Sequence, residues 1–248
     1  MKKPNLVVER ARRGEPAVAS IEREEKRARP ALLYDLTELQ RHASRLYGFS
    51  AKRTLEIAQA LYEQHKLISY PRTDSRHLSA EIERELPAIV SKIRAPYEEL
   101  LEEGTGERPL GRRFVDDTQV SDHHAIIPTG RFARLPPSSD EAKLYDLICR
   151  RLLAAWQKDH VWATTTVRIE VRTQDASDVI VDRYLATGQM VLEEGYRRLD
   201  VKTKKSALDG AAHRTCPSSA KAMRSRYAMR APTQRPRVLR RLSAKPRC

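Results

Sequence analysis

Four stretches of the chain place apolar residues at helical spacing, and a later stretch switches to runs rich in β-branched residues. Leu36, Leu39, Ala43 and Leu46 fall near one helical face, and Gly48 is placed to end that helix. Thr37-Glu38-Leu39-Gln40 has capping-box spacing, a hydroxyl followed three residues later by an amide side chain. Ser50 is positioned to cap a second helix with the stripe Leu55, Ile57, Ala58, Leu61 and Tyr62. A third helix is expected from about Ser79 to Ile93, with Ile82, Leu86, Ile89 and Ile93 on one face. Ser138 to Glu141 repeats the capping box and opens an amphipathic helix through Leu144, Leu147, Ile148, Leu152 and Trp156. Val161 to Val171, Val179 to Leu185 and Gln189 to Leu192 read as strands. Residues 1–30 mix valines with dense charge around Arg13-Gly14-Glu15-Pro16, which predicts a strand, a turn and a second strand closed by Pro30. Between Pro96 and Pro137, glycines and prolines predict loops. The expected class is therefore α+β, a helical unit inserted between two parts of a β domain.

The length of 248 residues suffices for one large domain or two small ones. No apolar run approaches the roughly 18 residues of a membrane-spanning helix, so no membrane association is expected. The start, MKKPNLVVERARRGEP, lacks the apolar core of a secretory signal. Cys149, Cys216 and Cys248 form no C-x-x-C pair, which argues against a disulfide scaffold or a cysteine zinc site and points to the cytosol. The net charge of +14 suggests a nucleic-acid partner, but it is unevenly spread. From Gly210 to Cys248 there are eleven Lys or Arg and no acid, while the other 209 residues hold 36 basic and 33 acidic side chains. A case for DNA binding must therefore come from local constellations.

The segment Leu67-Ile68-Ser69-Tyr70-Pro71-Arg72-Thr73-Asp74-Ser75 is one such constellation. Pro71 pushes Tyr70 into an extended conformation, and Arg72, two residues on, then projects to the same side as Tyr70. A guanidinium beside a phenol can favour the phenolate or bind a phosphate through two parallel hydrogen bonds. Thr73, Asp74 and Ser75 can fix the loop or cap the next element. On composition alone, an ordinary half-buried tyrosine at a strand end is the simpler reading. The second constellation is Asp122-His123-His124-Ala125-Ile126-Ile127-Pro128-Thr129, with Gly130 next in the chain. Adjacent histidines on a strand point to opposite sides, so a DNA-facing or structural role fits them better than a shared metal ion. The spaced basic residues of a recombinase and the three-histidine cluster of a relaxase are not found around Tyr70.

Residues Leu33 to Leu78, reading LYDLTELQRHASRLYGFSAKRTLEIAQALYEQHKLISYPRTDSRHL, resemble the active-site region of type IA DNA topoisomerases. VDDTQVSDHHAIIPTG resembles the downstream histidine motif of that family. The helix from Glu141 through Leu152 and the stretch GQMVLEEGYRRL (188–199) are similar to the family's next segments, in the same order. The wording is nearest to bacterial topoisomerase III-like members.

The resemblance implies that Tyr70 is the nucleophile that forms a 5′-phosphotyrosine link, that Arg72 binds the scissile phosphate, and that His123 lies near the active-site phosphates. It also places Ser50, Gln59, Thr73, Asp74, Ser75, His124 and Thr129 among residues that face DNA. The implied reaction breaks and rejoins one strand of single-stranded or underwound DNA without ATP. In the family, magnesium is bound by a separate Toprim domain through a glutamate and a D-x-D motif. None of the thirteen aspartates here stands two residues from another, so no metal is expected on this chain, a Toprim portion is an expected partner, and the isolated chain is expected to be inactive. The implied organisation is a first part of a β-rich gate domain at 1–32, a helical catalytic-tyrosine domain at 33–137, the return helix and strands of the gate at 138–209, and a disordered tail at 210–248. After about Arg214 the likeness stops, and degenerate reverse translation in another frame permits a family-like string ending in SEATL, so the tail is expected to be an out-of-frame translation. The expected location is the cytoplasm, on the bacterial nucleoid. A reading of a different class is a noncatalytic module that holds single-stranded DNA, and at 6% aromatic residues its binding is expected to be mainly electrostatic.

Overall fold

The computed structural model describes residues 6–131, 133–175 and 178–201. The tail expected at 210–248 lies outside the described residues. Two compact units divide the chain, one of sheet and one mainly of helices.

The sheet unit holds α1 (Leu6–Arg13) and three long strands, β1 (Glu15–Ala28), β2 (His160–Asp175) and β3 (Asp178–Glu193). They form an antiparallel sheet in the order β1-β2-β3. The expected first strand is instead the helix α1. Its eight residues are too few for periodicity to decide, and Glu9 and Arg13 form an i,i+4 ion pair that only a helix brings together, at 3.6 Å. Gly14 comes next, packed so closely on β2 that a Cβ would stand 2.5 Å from Thr173 and Val171. The two separate strands expected between Val179 and Leu192 are one, because β3 runs through Thr187-Gly188 without a break. Cross-strand pairs, Arg183 with Glu170 at 3.0 Å and Arg168 with Glu22, line the exposed surface.

The second unit comprises, of the described residues, 27–161 and 193–201. Its helices are α2 (Leu36–Tyr47), α3 (Ala51–Glu63), α4 (Ala80–Ile93) and α5 (Asp140–Ala154). Ser50 and Ser79 cap α3 and α4 by accepting the N–H of Arg53 and Ile82. The cap of α2 is Asp35 rather than Thr37, its carboxylate 2.6 Å from the N–H of Glu38. The cap of α5 is Ser139, one residue past Ser138, which turns into left-handed backbone at φ 68°. Gly48 ends α2 at φ 72° and returns its N–H to the Ser44 carbonyl.

Leu39 and Ala43 of α2, Ile57, Ala58 and Leu61 of α3, and Leu144, Leu147 and Ile148 of α5 share one apolar cluster. The helix α5 thus packs in one cluster with α2 and α3. A second cluster gathers Leu86, Ile89, Val90 and Ile93 of α4 with Phe114, Leu152, Leu153 and Trp156. An extended segment at 125–128 lies between them: Ile126 enters the first cluster and the adjacent Ile127 the second. Three arginines hold the strap that leads into α2. Arg113 donates to the Pro30 carbonyl at 2.9 Å, Arg151 to that of Leu32 at 2.9 Å, and Arg76 to that of Leu33 at 3.1 Å.

Candidate active site

Three sequence segments, around Tyr34, at 67–77 and at 125–129, meet as a short irregular ladder. Ile68 pairs antiparallel with Pro128, and Tyr34 with Ile126. The Thr129 N–H donates to the Leu67 carbonyl at 2.9 Å, the Ser69 N–H to the Ile127 carbonyl at 2.9 Å, and the Ala125 N–H to the His77 carbonyl at 2.9 Å. Because Ile126 and Ile127 are anchored in opposite cores, the register of this ladder is set by burial. Its consequence is local to Tyr70. The Tyr70 ring lies 4.3 Å, centroid to centroid, from the His123 imidazole, and Tyr62 of α3 meets it edge-on at 5.4 Å.

Tyr70 is half-buried between these two rings, not sealed in a core. Pro71 behind it is buried, whereas Arg72 and His123 are exposed. Among the described residues no hydrogen bond or ion pair holds the Arg72 guanidinium. A phenol presented at the surface, with a guanidinium two residues away and an imidazole against its ring, can receive a phosphate group.

The remaining residues picked out from sequence divide into two kinds. Thr73 and Ser75 are buried, and their hydroxyls are committed to backbone. Thr73 Oγ1 donates to the His123 carbonyl at 2.9 Å and accepts the Ser75 N–H at 3.1 Å, and Ser75 Oγ donates to the Gln119 carbonyl at 2.8 Å. These two hydroxyls hold the loop rather than face a ligand. Thr129 Oγ1 likewise donates to the carbonyl of Lys66, a non-glycine residue held at φ 56°, at 2.7 Å. The Asp74 carboxylate is exposed and accepts from Ser121 Oγ at 3.4 Å. His124 is half-buried with Nδ1 2.8 Å from the Ala125 carbonyl, and burial pushes its pKa below the usual histidine value. Among the described residues no hydrogen bond or ring contact joins Ser50 or Gln59 to Tyr70, although Gln59 stands one turn before Tyr62 on α3.

Three residues that sequence reasoning left aside belong to the same place. Tyr62 is visible in the sequence only as a member of an apolar stripe. Lys66 carries its ammonium 5.5 Å from the Tyr62 ring centroid. Ser69 offers no sequence signal, because its importance lies in pairing with a distant segment.

Residues for a metal are lacking here. Among the described residues no three His, Cys, Asp or Glu side chains stand together as a metal site, and Asp74 is the only acid in the tyrosine loop. The magnesium that the family implies therefore does not fit this site by itself.

A phenol and a guanidinium on the tyrosine loop and an imidazole on its partner segment are thus brought together, and comparison with known proteins gives the chain its family. The chain belongs to the DNA topoisomerase family, whose model matches residues 2–223, and within it to the type IA class. That match extends past Arg214, where the likeness read from sequence alone ended. Among curated relatives, DNA topoisomerase 3 of Bacillus cereus strain ATCC 14579 is 37% identical over 196 residues, covering 78% of this chain and 26% of that protein. DNA topoisomerase 3 of Bacillus licheniformis is 40% identical over 197 residues, covering 75% and 25%, and that of Bacillus subtilis strain 168 is 39% identical over 186 residues, covering 73% and 24%. The chain thus spans about a quarter of the length of these relatives. Full-length topoisomerase I from Thermotoga maritima shares the fold, with a TM-score of 0.53 at 24% identity over 82% of this chain and 33% of that one. Among the described residues no helix is long and apolar enough to cross a membrane.

Proposed function

We propose that this chain carries the tyrosine side of a type IA topoisomerase centre and acts on single-stranded or underwound DNA. Tyr70 Oη forms a bond to a backbone phosphorus and the bond from that phosphorus to the 3′ oxygen breaks. The phenolic proton leaves, the 3′ oxygen takes up a proton, and the 5′ phosphate stays on Tyr70. Resealing is the reverse transfer, so the ester conserves the energy of the broken bond and no ATP is needed. Arg72 binds the phosphate at its two non-bridging oxygens, and His123 lies against the Tyr70 ring where it assists that binding. Asp74, His124, Gln59 and Ser50 border the path of the strand. The observation that carries this reading is the Tyr70–His123 ring contact at 4.3 Å, which joins the two family motifs at one exposed spot.

The helical unit is, in this reading, the tyrosine-bearing domain inserted into the β-rich gate arch. Magnesium would supply positive charge at the scissile phosphate, and since Asp74 is the only acid in the tyrosine loop its ligands would come from a Toprim portion. The 248-residue chain alone therefore neither relaxes supercoiled DNA nor cleaves a single strand, and it works in the cytoplasm on nucleoid DNA once that portion is supplied. The test mixes the chain with a Toprim segment of a related topoisomerase, magnesium and an end-labelled single-stranded oligonucleotide. A denaturant-resistant protein–DNA adduct is expected with the native sequence and none with Tyr70→Phe. Adduct formation that survives Tyr70→Phe, or relaxation by the chain alone, contradicts the reading. Binding without an adduct even when the Toprim segment is present would instead mark a noncatalytic DNA-holding module.

A further inference from the structure

Tyr70 sits between two hydroxyl residues, Ser69 immediately before it and Thr73 three positions after it. Both hydroxyls reach across to the same partner segment. Ser69 Oγ donates to the Ala125 carbonyl at 3.0 Å and accepts the Ile127 N–H at 3.0 Å, while its own N–H donates to the Ile127 carbonyl. Thr73 Oγ1 donates to the carbonyl of His123 itself, and the Thr73 carbonyl accepts the N–H of Leu36 at the start of α2. Between these two attachments Tyr70 has no backbone hydrogen bond of its own to residues 123–127, and Pro71 contributes no N–H at all. The backbone ladder and the buried Ile126 and Ile127 set the register of the two segments, and within it the two hydroxyls are the attachments that flank Tyr70 most closely.

We infer that Ser69 and Thr73 are positioning residues that set the Tyr70–His123 ring contact, the inference resting on the proposed role of Tyr70 only for its catalytic consequence. Ser69 has both a donor and an acceptor engaged, so alanine removes two bonds: the Ile127 N–H loses its partner, and the Ala125 carbonyl keeps only His124 Nδ1. Threonine at 69 and serine at 73 keep the hydroxyl. Valine at 73 keeps the shape and removes it, which separates hydrogen bonding from packing.

The experiment uses the whole 248-residue chain with labelled histidines and reads the ring-current displacement of the His123 imidazole protons by NMR. The His123 signal is assigned with His123→Gln, and its displacement by the phenol is calibrated with Tyr70→Leu. Ser69→Ala and Thr73→Val are expected to lose at least half of that displacement, and Ser69→Thr and Thr73→Ser to retain it, with the amide spectrum outside the loop unchanged in all four. In the reconstituted cleavage reaction the first two variants are expected to be roughly 10- to 100-fold slower, the scale set by an ångström of misplacement, and the second two near native. An unchanged His123 displacement in Ser69→Ala and Thr73→Val overturns the inference. Collapse of the displacement in those variants, with no Tyr70-dependent cleavage by any protein, upholds the positioning role and sinks the nucleophile reading instead. If Ser69→Ala or Thr73→Val fails to fold, loss of the displacement in the well-folded Ser69→Thr or Thr73→Ser would count against the inference just as directly.

Discussion

Tyr34, His42 and Arg151 meet in the helical unit, and their protonation states depend on one another. Arg151 donates to the Tyr34 hydroxyl at 3.1 Å and reaches His42 Nδ1 at 3.2 Å, while the Tyr34 hydroxyl also bonds to that same nitrogen. His42 Nδ1 can serve both donors only while unprotonated. Burial, followed by the nearby Arg151 and Arg45 charges, pulls the His42 pKa from 6.5 down to about 4, and burial pushes that of Tyr34 up to about 12. The folded histidine thus binds its proton less readily than the unfolded one. Its contribution to stability is complete above pH 6.5 and is lost as the pH falls towards 4. Urea midpoints measured across that range should fall with pH in the native chain and fall less steeply in His42→Gln. Equal slopes would show that His42 is not the group responsible. The pair matters for the site because Arg151 and Arg76 hold the strap whose Tyr34 bridges to Ile126, three residues from His123.

At the scale of elements, helix ends and buried faces make separable demands. A Cβ on Gly48 would meet nothing within 4 Å, so Gly48→Ala strains only the left-handed backbone and should cost about 1 kcal/mol in chemical denaturation. Ile148 of α5 is wholly buried in the cluster that α5 shares with α2 and α3, and Ile148→Ala should cost about 2–5 kcal/mol through lost burial and the cavity left behind. A smaller loss for Ile148 than for Gly48 would mean that α5 does not belong to this core. These helices are legible because cap residues and apolar stripes agree: Ser50, Ser79 and the run from Leu144 to Trp156 each mark a helix found in the fold. Where several cap candidates adjoin, spacing misleads by a residue or two: Asp35 and Ser139, not Thr37 and Ser138, accept the N–H three residues on. The helix α1 escapes sequence reading because Leu6-Val7-Val8 suits either period over so short a run. The site is legible only through family likeness. Nothing in the spacing of Tyr70 and His123 predicts a ring contact, which depends on Ile126 and Ile127 anchoring one segment between two cores. The likeness turns Thr73 and Ser75 towards DNA, yet their burial commits them to loop carbonyls.

Over the whole molecule, charge and chemistry lie in different parts of the sequence. Eleven basic residues and no acid come after Asp209, against a surplus of three in everything before it. Nonspecific attraction to DNA should therefore reside mainly beyond Asp209, and specific handling of the strand in the helical unit. Ending the chain at Asp209 should weaken single-stranded DNA binding at low salt and flatten its dependence on salt concentration, while Tyr70-dependent adduct formation in the reconstituted reaction persists. An unchanged salt slope would place the electrostatic contacts in the folded units instead. The chain spans about a quarter of relatives that are DNA topoisomerases, and its proposed chemistry is half of a centre completed by acids from elsewhere. The most direct test of that claim is to digest the covalent product and locate the nucleotide by peptide mass mapping. A 5′-phosphonucleotide on the peptide that contains Tyr70, attached at its phenolic oxygen, is the predicted result. A nucleotide on any other residue, from a reaction that does yield an adduct, would contradict it.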